Sequence, residues 1–524
     1  MALVGAGVAL FVFVLYLKTL APTVLYYDRP AMFDSAMLQT EVAVLGIGHP
    51  TGYPTYMMLT HLFTYLPIGE VAYRTNLASM VYGVGAVLMV YLVGLRLSSG
   101  RVVAAAAGAL AFGVGGTFWS QAVITEVYTL DALFVSLTIF ALLVWRDRRE
   151  DRYLLLSAFL VGLSLTHHLT CGLLIPAGVA FVYLVNKRRL PNVRLLLKGV
   201  GLFLVGLIPY VYLPVRAVMD APLNESDPSS LERFLLLITG ASYLPVLFNS
   251  DIQHLVSSLE FEGFFSRAQL YGEYLFGQFP LVLVLIGVLG ILHMLLTDRA
   301  TMVLLGTLFL GTLLFVLAYL KFGVEDFYVF FIPAHLVFSL WIAAGLGFLL
   351  RWAGDLETRS LVLKRASLFA LSVLALVAPL VGLQETYKAQ DRSQDYKGRQ
   401  IIEAVAQNTK LNATVLHHRS PLWYMVLVER QRRDLKLIDP FYTSWVRYND
   451  IIWPAPLRLK DSDARYETDD STGVGAARKA ARTGPVYVLD QEFDQKKADH
   501  FQQAGFDVVQ IEEDLYELVP LQRR

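Results

Sequence analysis

The stretch Asp34-Ser35-Ala36-Met37-Leu38-Gln39-Thr40-Glu41-Val42-Ala43-Val44-Leu45-Gly46-Ile47-Gly48-His49-Pro50-Thr51-Gly52-Tyr53-Pro54 decides how the rest of the chain is read. It follows the first long apolar segment, near residues 3–20, and packs acids, a histidine and turn-forming Gly and Pro into one short loop. Pro presets φ and Gly permits φ > 0, so His49-Pro50-Thr51-Gly52-Tyr53-Pro54 is a stiff, sharply turned backbone suited to holding a side chain in one geometry. The apolar pattern of Leu38–Leu45 predicts a short helix along the membrane surface, with Asp34 or Ser35 as its N-cap.

The surroundings of that loop are oily. Of 524 residues, 55% are apolar and only 17% charged, with a mean hydropathy of +0.51. Soluble domains carry about 25% charge, so much of this chain must face lipid. Its 44 basic and 44 acidic residues leave no excess of positive charge, which gives no argument for a nucleic-acid partner. Cys171 is the only cysteine, so neither an intramolecular disulfide nor a cysteine-rich zinc site is available. Asn224 and Asn412 open Asn-x-Ser/Thr triplets, a pattern common by chance.

Segments of roughly 20 apolar residues predict about eleven membrane spans, near 3–20, 75–97, 102–119, 122–145, 153–170, 171–186, 196–215, 279–297, 301–320, 327–350 and 363–383. The first has no basic leader and reads as a retained helix. Lys and Arg gather in alternate loops: Arg96 and Arg101; Arg146, Arg148, Arg149 and Arg152; Lys187, Arg188, Arg189 and Arg194; Arg299; then Arg351, Arg359, Lys364 and Arg365. By the positive-inside rule these loops face the cytoplasm. That predicts a plasma-membrane protein with a cytoplasmic N-terminus, and puts loops 21–74 and 216–278 and the tail outside. The domain expectation is therefore a membrane domain over 1–383 and an extracytoplasmic α/β domain over 384–524. In the latter, strands are expected at 413–417, 435–438, 485–489 and 506–510, a helix at 495–504 and a surface loop at 459–483. No Gly-rich phosphate loop opens a helix there, and the chain has no internal repeat.

In the outer loop, Asp28, Asp34, Glu41, His49 and His61 are the groups able to carry chemistry. Glu126 and Asp131 fall at and inside an apolar segment, where ionisable groups are costly and face a polar interior. His167 and His168 sit at an outer helix end, and neighbours on a helix point apart, which disfavours a shared metal. Lys321, Glu325 and Asp326 read as a solvated outer cluster. The 216–278 loop, with Leu231–Leu237 and Phe261–Phe265, reads as surface-lying helices.

These residues carry a resemblance. Leu20-Ala21-Pro22-Thr23-Val24, Asp34-Ser35-Ala36 and Leu45–Pro54 resemble a bacterial family long filed as a domain of unknown function. That family includes relatives of a vertebrate protein O-mannosyltransferase of the transmembrane-protein type. Ala72–Leu77, Phe118–Gln121, Glu126–Leu130, Leu163–His168 and Tyr212–Arg216 fit it too, so the match covers about residues 15–240. The family is similar to the GT-C superfamily of integral-membrane glycosyltransferases. The resemblance implies transfer of a sugar, mannose among the options, from a polyprenyl-phosphate carrier to a protein or glycan acceptor in the cell envelope. It implies a catalytic acid in the first outer loop: Asp34 as base, with His49 near the acceptor or phosphate and Glu126 beside the chemistry. Arg216, His167 and His168 are the expected donor-phosphate groups, since Arg binds phosphate oxygens in pairs. No cofactor is specified by the residues; a divalent cation is compatible with the acids, and no spacing decides it.

One departure stands out. Many family members continue the acid-serine pair with Gly-Glu, where this chain has Ala36-Met37. The second acid of a two-acid site is then missing or supplied by Glu41 or Glu126. Asp28 competes with Asp34 for the family position; the distance from Asp34 to His49-Pro50 favours Asp34. Two other readings stay open, a transporter or flippase of lipid-linked sugars and a catalytically inactive membrane scaffold.

Overall fold

The structure is a computed structural model that describes residues 1–26, 34–189, 192–241, 261–319, 327–355, 361–439 and 473–521. Asp28, Lys321, Glu325 and Asp326 lie outside the described residues, as does most of the loop expected at 459–483. The chain divides into two compact units: residues 1–20, 76–210 and 247–393, and residues 21–75, 211–246 and 394–524.

The first unit is helical. Among the described residues, eight helices are long and apolar enough to cross a membrane: Ala2–Thr19, Val71–Leu97, Tyr128–Arg148, Leu169–Arg189, Val193–Val218, Arg299–Leu317, Phe327–Asp355 and Leu361–Gln390. Two bent pairs, Val102–Gly113 with Gly116–Ala122 (67°) and Ala268–Gln278 with Leu281–Thr297 (112°), raise the number to 10 if each is one span. The eleventh expected segment folds as Asp151–Leu165, only 15 residues. At 1.5 Å per residue that is roughly 22 Å, short of a hydrocarbon core of about 30 Å. Glycines let these helices touch backbone to backbone. A Cβ at Gly290 would overlap the carbonyl of Trp341, and one at Gly345 the carbonyl of Ile286.

The second unit is built on a five-stranded sheet of order β2-β1-β3-β5-β4. The strands are β1 (Thr414–His417), β2 (Lys436–Ile438), β3 (Val486–Leu489), β4 (Phe506–Glu512) and β5 (Leu515–Pro520). β1 pairs in parallel with β2 and β3; β3–β5 and β4–β5 are antiparallel. The four expected strands form, as does a helix at Gln495–Gln503, and β5 is an addition. It closes a hairpin with β4 across a two-residue turn that carried no Asn-Gly or Asp-Gly signal. Val474–Ala480 is helix rather than loop.

Residues from the loop after the first helix, and Leu223 from the later 216–278 stretch, are part of this unit's core. Val24, Tyr26, Met37, Ala72 and Leu223 are buried in one apolar cluster with Ile402, Val415, Trp423 and Leu437. Polar ties reinforce it: Ala72 N–H donates to Tyr424 Oη (3.0 Å), Val24 N–H to Glu70 Oε1 (3.2 Å), and Arg399 bridges Glu70 and Glu429. The segment 21–75 thus folds with the tail. Asn224 is fully buried, so its triplet is no accessible glycosylation site in this fold.

Candidate active site

The expected helix forms over Ser35–Val44, but Ser35 to Val42 are all buried. It is a core helix of its unit rather than a surface-lying one, because Met37 and its neighbours pack against the sheet domain. Asp34 occupies the N-cap position, yet its side chain makes no capping hydrogen bond. The carboxylate instead forms an ion pair with Arg419, through Oδ1, and places Oδ2 3.5 Å from His49 Nε2.

The helix ends by turning sharply. Leu45 takes a left-handed conformation (φ 52°), and Gly46 N–H donates back to Glu41 O at 2.7 Å. Ile47 N–H then donates to Leu223 O and Glu225 N–H to Ile47 O, each at 2.9 Å. This short parallel bridge fixes Glu225 beside Glu41. Both glycines are needed for the approach. A Cβ at Gly46 would stand 2.8 Å from Leu223 O, and one at Gly48 would stand 2.8 Å from Glu41 Oε2.

Two carboxyl groups therefore flank one guanidinium, and a third lies behind them. Arg419 pairs with Asp34 and, at 3.4 Å, with Glu225. The Arg419 and Glu225 side chains are each 5% exposed, and Asp34 is 24% exposed. Glu41 lies beneath, fully buried; burial pushes its carboxyl up to about 7, and the nearby Glu225 side chain opposes that rise. Burial also pushes the His49 imidazole down to about 4, so the ring is neutral near pH 7 and its contact with Asp34 is polar rather than ionic. His49 Nε2 lies 3.0 Å from Tyr53 Oη.

Arg419 arrives from the far end of the sequence. It follows β1 in a left-handed conformation (φ 41°), and its N–H donates to Asp439 Oδ2 at 3.1 Å. Asp439, just after β2, also holds His418 Nδ1 at 3.0 Å. Ligand groups commonly collect at the carboxyl ends of parallel strands, and His417-His418-Arg419-Ser420 after an apolar strand was the signal that sequence reading passed over. Glu225, in the turn Pro222-Leu223-Asn224-Glu225, was likewise missed.

The other expected residues are placed differently. Arg216 donates from Nε to Leu45 O (2.8 Å) and from Nη2 to Val44 O (3.2 Å), bracing the helix end; Tyr212 Oη adds a bond to Gly46 O at 2.7 Å. Met37 is in the apolar core, so position 37 does not offer a side chain to this cluster. His61 Nδ1 is 2.7 Å from Val42 O. Glu126, His167 and His168 belong to the helical unit and are buried there. Val127 N–H donates to Glu126 Oε2 at 3.4 Å, His167 Nε2 lies 2.9 Å from Val127 O, and His168 Nδ1 lies 2.6 Å from Thr170 Oγ1. In the same unit the Cys171 thiol donates to Asp131 Oδ1 at 2.9 Å. Among the described residues no group of three or more His, Cys, Asp or Glu is arranged to hold a metal ion.

Residues 34–192 match the family described as the protein O-mannosyl-transferase TMEM260 N-terminal domain. The protein O-mannosyl-transferase TMEM260 of Mus musculus is 32% identical over 212 residues, 38% of this chain and 30% of that protein. Its counterpart from Dictyostelium discoideum is 23% identical over 474 residues, 82% of this chain and 56% of that protein. The chain thus spans 30% and 56% of the lengths of these relatives. The crystal structure of ArnT from Cupriavidus metallidurans bound to undecaprenyl phosphate superposes with a TM-score of 0.60 at 14% identity, covering 99% of this chain and 97% of ArnT. The oligosaccharyltransferase of Archaeoglobus fulgidus gives 0.52 at 13% identity, with 98% and 73% covered. The chain is related to the TMEM260 proteins and shares the fold of ArnT and of the oligosaccharyltransferase, with a small sheet-containing C-terminal region.

Proposed function

We propose that this chain is a multi-pass membrane glycosyltransferase that moves a sugar, mannose by the name of its relatives, from a polyprenyl-phosphate-linked donor to a hydroxyl of a protein or glycan acceptor. Asp34 is the general base. The observation that carries the reading is that this carboxylate, at the start of the family-matched region, gives up its helix cap and is held instead beside a neutral histidine. The lipid carrier is supported by the ArnT structure, which holds undecaprenyl phosphate. The outer face of the plasma membrane is supported by the distribution of Lys and Arg among the loops.

In the reaction, Asp34 takes the proton from the acceptor hydroxyl as its oxygen attacks the anomeric carbon. The bond from that carbon to the phosphate oxygen breaks, and the phosphate leaves with the electron pair. With Oδ1 on Arg419, Oδ2 is the oxygen that takes the proton. His49, uncharged, can hydrogen-bond the acceptor without neutralising the base. Glu126 as a further catalytic residue and His167 and His168 as donor-phosphate groups are separate proposals, tested by whether Glu126→Gln lowers kcat and whether the histidine-to-alanine variants raise the donor KM.

Purified protein is given radiolabelled polyprenyl-phosphate mannose with peptide and glycan acceptors. A positioned base contributes roughly 10²–10⁴-fold, so Asp34→Asn is expected to lose transfer by that factor while remaining folded. Unchanged transfer in Asp34→Asn would overturn the assignment. Sugar lipid crossing vesicles with no transfer by the wild type would favour a transporter.

A further inference from the structure

We propose that Arg419 is a positioning residue for Asp34, and that Glu41 and Glu225, sharing one proton, supply the second acid that position 37 does not. This rests on Asp34 being the base.

The charges require an arrangement of this kind. Arg419 pairs with two carboxyl groups, Asp34 and Glu225, and the nearly buried Glu225 in turn faces the fully buried carboxyl of Glu41. Two carboxylates in contact within a protein interior cannot both ionise at modest cost, so the pair retains one proton. Glu41, the deeper of the two, holds it and donates to Glu225. Glu225 then carries the charge and faces Arg419, which divides its guanidinium between Glu225 and Asp34. Arg419 suits the task because its planar fork of donors can serve two carboxylates at once. Its backbone is pinned by Asp439, and Glu225 by its N–H donating to Ile47 O, so both ends of the brace are fixed.

Charge on Glu41 disturbs the brace. The groups that face Glu41 are Glu225, and Tyr212 with Arg216 from the helix Tyr212–Val218. Helix Pro54–His61 brings Tyr56 and His61, and the helix Leu422–Leu427 brings Tyr424 but no charged residue. As pH rises past about 7, Glu41 loses its proton and the pair beneath Arg419 doubles its negative charge. Arg419 is then drawn toward that pair and away from Asp34. Turnover falls on the alkaline side.

The test measures kcat and donor KM against pH for full-length wild type, Glu41→Gln, Arg419→Lys and Arg419→Ala, using labelled polyprenyl-phosphate mannose. Wild-type kcat is expected to decline above about pH 7, and Glu41→Gln, which cannot ionise, to shift that decline upward by a unit or more. Arg419→Ala is expected to lower kcat at least tenfold with donor KM nearly unchanged, and Arg419→Lys to recover part of the loss. Thermal unfolding gives a readout independent of activity. Glu41 ionises less readily folded than unfolded, so its penalty is absent below about pH 4.5, grows toward about 7 and is complete above it. Glu41→Gln should therefore gain stability over wild type across that window. An alkaline decline that does not move in Glu41→Gln, or an Arg419→Lys enzyme that changes donor KM alone, overturns the proposal. If those outcomes occur while Asp34→Asn still abolishes transfer, only this inference fails; if Asp34→Asn is fully active, the reading of the base fails with it.

Discussion

The acidic side of the Asp34–Arg419 pair and its cationic side are held in opposite ways. Asp34, Glu41 and His49 sit on a stretch that folds on itself, through a helix, a left-handed Leu45 and the Gly46–Gly48 approach to Leu223 and Glu41. Arg419 stands on a turn whose place is set by strands 20 to 70 residues away in sequence, β2 through Asp439 and β3 through its pairing with β1. The first region can lose one contact and keep its outline. The second has no geometry without the sheet. The proposed base is therefore placed locally, and the arginine paired with it is placed by tertiary structure.

The largest expected effect comes from removing the tertiary side altogether. Deleting residues 394–524 takes Arg419 away and uncovers Val24, Tyr26, Met37, Ala72 and Leu223. At about 1.5–3 kcal/mol for each large apolar side chain, the loss approaches the whole margin of a domain, about 5–15 kcal/mol. The truncated protein should show no transfer, and residues 21–75 should become sensitive to protease. A truncated chain with a protease-resistant loop and normal transfer would break the comparison, since the loop would then be self-sufficient.

A smaller effect separates two neighbours on the local side. Gly46→Ala places a methyl group against a backbone carbonyl, Leu223 O, which cannot swing aside; a loss of about 1–3 kcal/mol is expected, read as a fall in Tm. Gly48→Ala meets the end of the Glu41 side chain, which can move. Its Tm should fall less, but the displaced carboxyl should alter the pH dependence of kcat. Equal Tm losses with unaltered pH profiles would show that Glu41 has no role beyond packing.

How far the sequence reaches follows from the same contrast. Asp34, Glu41 and His49 were legible because they share one short stretch with its own turn chemistry, and the family pattern marks it. The helices were legible from apolar length alone, except that Asp151–Leu165 stops at 15 residues before Thr166-His167-His168. Arg419 and Glu225 were not legible, because a single charged residue after a strand or in a turn reads as solvated until the fold brings the two together. The Ala36-Met37 departure looked like a lost acid; in the fold Met37 is a core residue, and the nearby acid is Glu225, from a segment about 190 residues away.

Arg216 is the residue on which the two kinds of reading part most clearly, and its variant is the mildest expected. Motif resemblance makes it a phosphate ligand, whereas its Nε and Nη2 donate to Leu45 O and Val44 O. Hydrogen bonds from a charged donor are worth about 1.5–3 kcal/mol, and partial exposure reduces that to about 1–2 kcal/mol here. A brace predicts that Arg216→Gln lowers Tm and slightly lowers kcat, because the turn after Val44 also sets Glu41 and Gly48, while donor KM stays put. Arg216→Lys should not rescue, since one ammonium cannot reach two carbonyls with fork geometry. A phosphate ligand predicts the reverse, with donor KM raised several-fold, Tm unchanged and partial rescue by Lys. Side-by-side KM and Tm values for the two variants decide whether this arginine serves the local fold or the donor.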